Sequence, residues 1–283
     1  RFYPDFFGYM LIKIEDEIAA SGEGASGQTE LARSTLTEKF LVSFPTSLDE
    51  QRRIVAILDE AFAGLAVMRQ HAEANLKNAR ALFDSHLNAI FSERGEGWLE
   101  RRFGEICENL DSRRVPITKR DRNEGSIPYY GASGIVDYVE EYIFDENILL
   151  VSEDGANLIA RTYPIAFSVS GKCWVNNHAH VVRFDEIATQ KFVELYLNSI
   201  SLEPFVSGMA QPKLNQKALN SIPIPLPDLR TQEKLVAAAY ELISGVERLE
   251  SLYRQKLAAI DELKQSILHR AFSGQLTGEA IAA

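Results

Sequence analysis

A helical pattern that occurs twice constrains this chain more than any other feature. The stretch from Gln51 to Phe91 returns from Gln232 to Phe272 without a gap. Gln51 aligns with Gln232, Val55 with Val236, Leu76 with Leu257, Leu82 with Leu263, Leu87 with Leu268 and Phe91 with Phe272. Each copy carries an apolar seam in alternating steps of four and three. The first seam is Ile54, Leu58, Ala61, Leu65, Met68, Ala72, Asn75, Ala79, Leu82 and His86. The second is Leu235, Ala239, Leu242, Val246, Leu249, Tyr253, Lys256, Ile260, Leu263 and Ile267. This is coiled-coil spacing. Neither copy contains proline, and the internal glycines, Gly64 and Gly245, are equivalent. At 1.5 Å per residue each rod is roughly 60 Å long. Such a rod cannot hide its seam alone, so the two are expected to pack on each other. Asn75 and Lys256 break the two seams at the same place, and polar residues there are expected to fix register. Two like rods flank about 140 unlike residues. That suits holding a module at a set position, so the function must be read from the module.

The repeat extends upstream of each rod. Ser207-Gly208-Met209-Ala210-Gln211-Pro212-Lys213-Leu214-Asn215 and Ile222-Pro223-Ile224-Pro225-Leu226-Pro227 precede the second copy. Gly27-Gln28-Thr29-Glu30-Leu31 and Val42-Ser43-Phe44-Pro45 precede the first. The prolines force extended chain ahead of each helix. Further back, Phe6 to Leu11 parallels Phe192 to Leu197. Residues 1–50 therefore read as the tail of a second copy of the module at 98–231. The expected organisation is that remnant, a first helix at 51–92, the module at 98–231, a second helix at 232–273 and a tail at 274–283. On this reading the chain is a fragment or shortened form of a two-module protein, with a natural half-length form as the competing explanation.

The module reads as strand-rich. Ile148 to Val151, Ile165 to Val169 and His180 to Phe184 are short apolar or alternating runs bounded by turn residues, and Gln190 to Ser199 reads as a helix. The fold class expected is α+β: a strand-rich domain plus two long antiparallel coiled-coil helices. At 283 residues, 46% hydrophobic and 25% charged, the chain has the composition of a globular protein of about two domains. No apolar run approaches the roughly 20 residues that cross a bilayer. Arg1-Phe2-Tyr3-Pro4-Asp5 does not resemble the basic start of a secretory leader. Cys107 and Cys173 stand far apart and outside any CxxC motif, so free thiols in a cytoplasmic protein are expected.

A net charge of −10 argues against nucleic acid unless positive charge is concentrated somewhere. It is: Arg113-Arg114-Val115-Pro116-Ile117-Thr118-Lys119-Arg120-Asp121-Arg122 holds five cations against one acid. Such a segment suits phosphate contacts, or is a solvated loop. Pro128-Tyr129-Tyr130-Gly131-Ala132-Ser133-Gly134 sets aromatic and hydroxyl groups between glycines that permit close backbone approach, or forms a bulged core strand. Gly171-Lys172-Cys173-Trp174-Val175-Asn176-Asn177-His178-Ala179-His180 gathers amides, a lysine and two histidines ahead of a strand. Asn and Lys suit base edges. A metal site at His178 and His180 lacks partners at ligand spacing, and a structural histidine is the better reading. Gln211, Lys213, Asn215 and Gln216 add polar groups in the loop before the proline run. There is no phosphate-binding loop, nucleophile elbow or HExxH motif, and no methyltransferase tetrapeptide or nuclease triad at its proper spacing.

Together these motifs resemble the specificity subunit of type I restriction–modification systems. The resemblance rests on Ile127 to Asp137, Glu153-Asp154-Gly155-Ala156-Asn157, Trp174 to Val181, Gly208 to Leu214, and Ile224-Pro225-Leu226-Pro227 running into a helix that ends Ala271-Phe272-Ser273-Gly274. It implies a target-recognition domain at 98–231, with the repeated helices as spacers between half-sites of a split DNA target. It implies a non-catalytic chain in a prokaryotic cytoplasm. The partners would be double-stranded DNA, methyltransferase subunits (two of them) and restriction subunits. S-adenosylmethionine, ATP and Mg2+ would belong to those partners, with no cofactor or metal on this chain. Candidate phosphate contacts are Arg113, Arg114, Lys119, Arg120, Arg122, Lys172 and Lys213, and Gln211 is a further candidate DNA contact assigned to neither phosphates nor bases. Candidate base contacts are Tyr129, Tyr130, Ser133, Asn176, Asn177 and His178. A remnant in place of the first recognition domain means that this chain alone would not read a split site. The alternatives are the recognition region of a fused restriction–methylation enzyme and a coiled-coil scaffold that binds only protein.

Overall fold

The computed structural model describes residues 2–22, 30–40, 42, 44–92, 95, 97–208 and 210–277, apart from the side chain of Asp84. Gly27, Gln28, Thr29, Ser43, Met209 and the end of the expected tail, 278–283, lie outside the described residues. The chain forms two compact units, Arg1–Ala79 with Glu247–Ala283, and Arg80–Val246. Two long helices, α4 (Leu48–Ser92) and α8 (Leu229–Phe272), contribute to both.

In the first unit α1 (Pro4–Lys13), α2 (Glu15–Ala20) and α3 (Arg33–Glu38) accompany the start of α4 and the end of α8. Ile54, Val55 and Leu58 pack against Leu268, Ala271 and Phe272, with Phe6 and Met10 of α1 closing the cluster. Early residues of one helix thus meet late residues of the other, so the pair runs antiparallel. Arg69 pairs with Asp261 further along.

In the second unit the strands are β1 (Leu99–Arg102), β2 (Glu108–Asn109), β3 (Glu124–Gly131), β4 (Gly134–Val139), β5 (Phe144–Asp145), β6 (Ile148–Ser152), β7 (Ala166–Val169), β8 (Lys172–Val175), β9 (Ala179–Arg183) and β10 (Pro223–Leu226). The helices α5 (Asn157–Ala160), α6 (Ile187–Ser199) and α7 (Gln216–Ser221) lie between them in sequence. One antiparallel sheet has the order β2-β9-β6-β7, a second has β4-β3-β8-β5 with β3 and β8 parallel, and β1 pairs with β10. The uninterrupted apolar run of β6 is explained by burial on both faces. Side chains alternate along a strand. Leu149 and Val151 enter a core with Phe192, Val193 and Leu197 of α6 and with Leu87, Phe91 and Ala239 of the long helices. Ile148 and Leu150 enter a second core with Cys173 and Val175 of β8 and with Phe144. The sheet is therefore a layer between helices and a second sheet.

The fold class is as expected, and the strand and helix positions agree to within a few residues. The helices begin one turn earlier than expected because Ser47 and Asp228 act as equivalent caps. Ser47 Oγ accepts Glu50 N at 3.4 Å and Asp228 Oδ1 accepts Thr231 N at 2.9 Å. The seam differs from the expected one. Leu65, Ala72 and Ala79 are buried, but Met68 and Leu82 are 44% and 62% exposed, and Asn75 and Lys256 are exposed too. Arg69, Leu76 and Phe83 take the inner positions, as Glu250 and Leu257 do on α8. The seam rotates by one residue so that Leu76 and Leu257 turn inward while Asn75 and Lys256 keep their hydration. The two polar residues therefore do not set the register.

The repeat is also a repeat of contacts. Gln51 Nε2 donates to Pro45 O at 2.8 Å while its Oε1 accepts Tyr3 N at 2.6 Å. Gln232 Nε2 donates to Pro227 O at 2.7 Å while its Oε1 accepts Thr189 Oγ1 at 2.7 Å. Phe6 meets Phe272 at 5.0 Å between ring centroids, and its counterpart Phe192 meets Phe91 at 5.3 Å.

Candidate nucleic-acid interface

One end of the second unit gathers four segments that sequence separates widely. Ser152 Oγ donates to Ala132 O in the β3–β4 turn. Asn176 N donates to Tyr130 O at 3.0 Å, and Glu153 N to His178 O at 2.9 Å. Leu214 N donates to Glu153 O at 2.8 Å, and Gly155 N to Pro212 O at 3.0 Å. Gly155 sits at φ +108°, where a side chain would be strained. The turns at 131–134, 152–156 and 176–178, with residues 207, 208 and 210–214, thus form one rim. Ser133, Asn177 and Gln211 are exposed on it, and among the described residues none has a side-chain hydrogen bond. His178, with its side chain 50% exposed, points Nδ1 at Asp154 Oδ1 across 2.9 Å.

Beneath the rim lies a knot of charges. His180 is buried, with Nε2 2.7 Å from Leu214 O and Nδ1 2.6 Å from Asp111 Oδ2. A carbonyl only accepts, so Nε2 is the donor there. Asp111 Oδ1 accepts Val181 N at 2.8 Å. Arg114 donates to Glu153 Oε2 at 2.6 Å and to Ala179 O at 2.7 Å, and lies 3.4 Å from Asp111. Lys213 reaches Glu153 from the other side at 3.2 Å. Burial would push the Asp111 carboxyl up, but the hydrogen bond and charge of His180, the Val181 N–H and Arg114 hold it below its usual range. Glu153 is likewise pushed up by burial and held down more strongly by Arg114, His180 and Lys213. Ligand atoms of Asp111, Glu153 and His180 lie within 4.8 Å of one another, the geometry of a metal site. Arg114 and Lys213 already neutralise these carboxylates, so the cluster is better described as a buried ion-pair network. It fastens Lys213, Leu214 and the 111–114 turn to the sheet.

The expected site residues therefore divide. Lys119 and Arg120 are exposed and form no ion pair among the described residues. Lys172 lies over the Tyr142 ring at 4.7 Å. Three arginines of the basic segment are engaged by the protein's own groups. Arg113 holds Glu146 at 2.6 Å and covers Phe144, Arg114 belongs to the knot, and Arg122 pairs with Asp137 at 2.8 Å over the Tyr129 ring. Tyr129 is a correction: it is 1% exposed and its hydroxyl donates to Ile117 O, so it is a core residue without a free edge. Asn176 is buried too, its Oδ1 accepting His178 N at 2.8 Å, and it shapes the turn that displays Asn177. Tyr130 is half-buried against Phe167. Asp111 and Asp154 were not singled out from sequence as site residues. Asp154 stands in the Glu-Asp-Gly-Ala-Asn motif, whereas nothing in sequence links Asp111 to a histidine far along the chain.

The type I restriction modification DNA specificity domain matches residues 95–257, and the chain belongs to that family. A putative type I restriction enzyme specificity subunit of Haemophilus influenzae, S.HindORF215P, is 35% identical over 181 residues, 58% of this chain and 46% of the relative. The EcoDI specificity subunit of Escherichia coli is 40% identical over 68 residues, 24% of this chain and 15% of the relative. The chain thus spans under half the length of these curated relatives. A chain solved in work on assembly and conformational transition of the type I R-M system superposes with a TM-score of 0.79 at 20% identity, over 97% of this chain and 72% of that one. The HsdS subunit of Thermoanaerobacter tengcongensis gives 0.60 at 21% identity, over 96% and 71%. Both likenesses establish the fold. Among the described residues no helix is long and apolar enough to cross a membrane.

Proposed function

We propose that this chain is a DNA-reading specificity subunit of a type I restriction–modification complex, with the second unit contacting one half-site. The rim supports this reading most directly. It displays Ser133, Asn177 and Gln211 on a scaffold that uses none of their side chains, as base readout requires. Lys119 and Arg120 supply exposed positive charge for phosphates, which carry affinity without sequence information. The total of −10 then reflects acids elsewhere. The long helices dock methyltransferase subunits. Met68, Leu82, Leu249 and Leu263, exposed at repeat-equivalent positions, suit such docking. Methylation from S-adenosylmethionine and ATP-driven, Mg2+-dependent cleavage reside in those partners and in restriction subunits, and this chain is non-catalytic. The test is to purify the chain with its methyltransferase and map methylated adenines. Ser133→Ala, Asn177→Ala and Gln211→Ala together should relax or abolish the sequence preference while leaving assembly intact. An unchanged methylation map would refute the assignment of the rim.

A further inference from the structure

Tyr163 is the most exposed tyrosine among the described residues, at 59%, yet its backbone is held with unusual care. Asn157 Oδ1 accepts Tyr163 N at 2.9 Å, and Asn157 Nδ2 donates to Tyr163 O at 3.0 Å. One amide thus clamps both backbone polar groups. Two residues earlier, Arg161 adopts the left-handed conformation at φ +54°, which is costly for a residue other than glycine. Its guanidinium donates twice to Leu197 O, each bond 3.3 Å, and holds the turn in place. Pro164 follows and fixes its own φ. The ring that all this positions has no hydrogen bond, ring contact or cation partner among the described residues. The left-handed Arg161 ends α5, and the clamp closes the turn while leaving the Tyr163 ring free to meet a ligand; backbone strain of this kind concentrates at such places.

Its location says which ligand. Ile165 O accepts Ser152 N at 2.8 Å, and Ser152 Oγ bonds the β3–β4 turn that displays Ser133. Gly155, two residues before the clamping Asn157, bonds Pro212 beside Gln211. Tyr163 therefore stands at the same end of the sheets as the rim. We infer that Tyr163 is a stacking residue whose ring packs against a base face laid open in the bound duplex, where a base is unstacked or extruded. This rests on the DNA-reading role proposed above and adds to it a contact of a different kind. Stacking tolerates every base, so Tyr163 supplies affinity and anchors the rim, while the polar readers discriminate.

The test uses the chain in complex with its methyltransferase and a duplex carrying the sequence returned by methylation mapping. Tyr163→Ala and Tyr163→Leu should raise Kd about tenfold or more, and Tyr163→Phe and Tyr163→Trp should stay within about twofold, because stacking needs a ring and an apolar bulk does not replace it. With 5-iododeoxyuridine placed through the site, ultraviolet crosslinking should identify Tyr163 by mass spectrometry. Unaltered affinity of Tyr163→Ala, or equal binding by the Leu and Phe variants, would overturn the inference. So would loss of methyltransferase association without DNA, which would make Tyr163 a protein-docking residue. If the wild-type complex shows no sequence preference, the DNA-reading assignment itself fails and the inference falls with it.

Discussion

Replacing His180 with leucine tests whether the buried ion-pair network holds the rim together. Leucine approximates the volume of the ring and leaves no large cavity, so the loss is of hydrogen bonds. Two bonds disappear: 2.7 Å to Leu214 O and 2.6 Å to Asp111 Oδ2. Leu214 is fully buried, so its carbonyl is left without that donor. An orphaned buried group costs about 1–3 kcal/mol, and more when charged. Asp111 keeps Val181 N and Arg114, which softens its share. The sum is about 3–5 kcal/mol, as for breaking other buried ionic contacts, against a domain stability of about 5–15 kcal/mol. Trp98 and Trp174, the two tryptophans of the chain, both lie in the second unit, so fluorescence reports on that unit alone. Urea unfolding followed by tryptophan emission should show the loss. Hydrogen exchange should show deprotection at the Lys213 and Leu214 amides, which bond Ser207 and Glu153. A loss below about 1 kcal/mol with unchanged protection would show that the network does not hold the loop.

Three further outcomes are expected. Asp111 and Glu153 titrate below their ordinary 3.8 and 4.5 in the folded state, so their stabilisation is complete above the unfolded values and is lost as pH falls through the folded ones. The urea midpoint read by tryptophan should therefore fall below about pH 4.5, more shallowly in Asp111→Asn; a flat acid limb would contradict the ion pairs. Burial pushes the Cys107 and Cys173 thiols up to about 12, so neither should react with a disulfide reagent at pH 8 until guanidinium unfolds the chain. Lys119→Ala with Arg120→Ala should weaken DNA binding for all sequences and reduce the slope of log affinity against log salt by about 2; an unchanged slope would remove them from the phosphate contacts.

Local patterns were legible in the sequence, and long-range partnerships were not. The repeat of Gln51 and Gln232 announced equivalent helices, and the apolar run at Ile148 announced a strand, whose burial on both faces only the packing of two cores shows. The inner face of the helices was ambiguous because steps of three and four fit two adjacent rows, and only packing chose Leu76 and Leu257. Charge was visible at Arg113, Arg114 and Arg122, but their carboxylate partners Glu146, Glu153 and Asp137 are distant in sequence. Tyr129 and Asn176 sat in a motif that pointed to contact, yet burial assigns them to holding the motif's shape. Tyr163 carried no sequence signal at all, since its distinction is exposure on a clamped turn.

The division between knot and rim has a consequence for descent. Ser133, Asn177 and Gln211 are not used by the fold, so they can drift at little cost in stability, whereas Asp111, Glu153 and His180 cannot change one at a time without it. Substitutions of the first kind are nearly neutral for folding and free to alter what is read. A lineage under pressure to change its target can therefore explore new side chains without passing through unstable intermediates. Solved structures keep this fold at 20% and 21% identity.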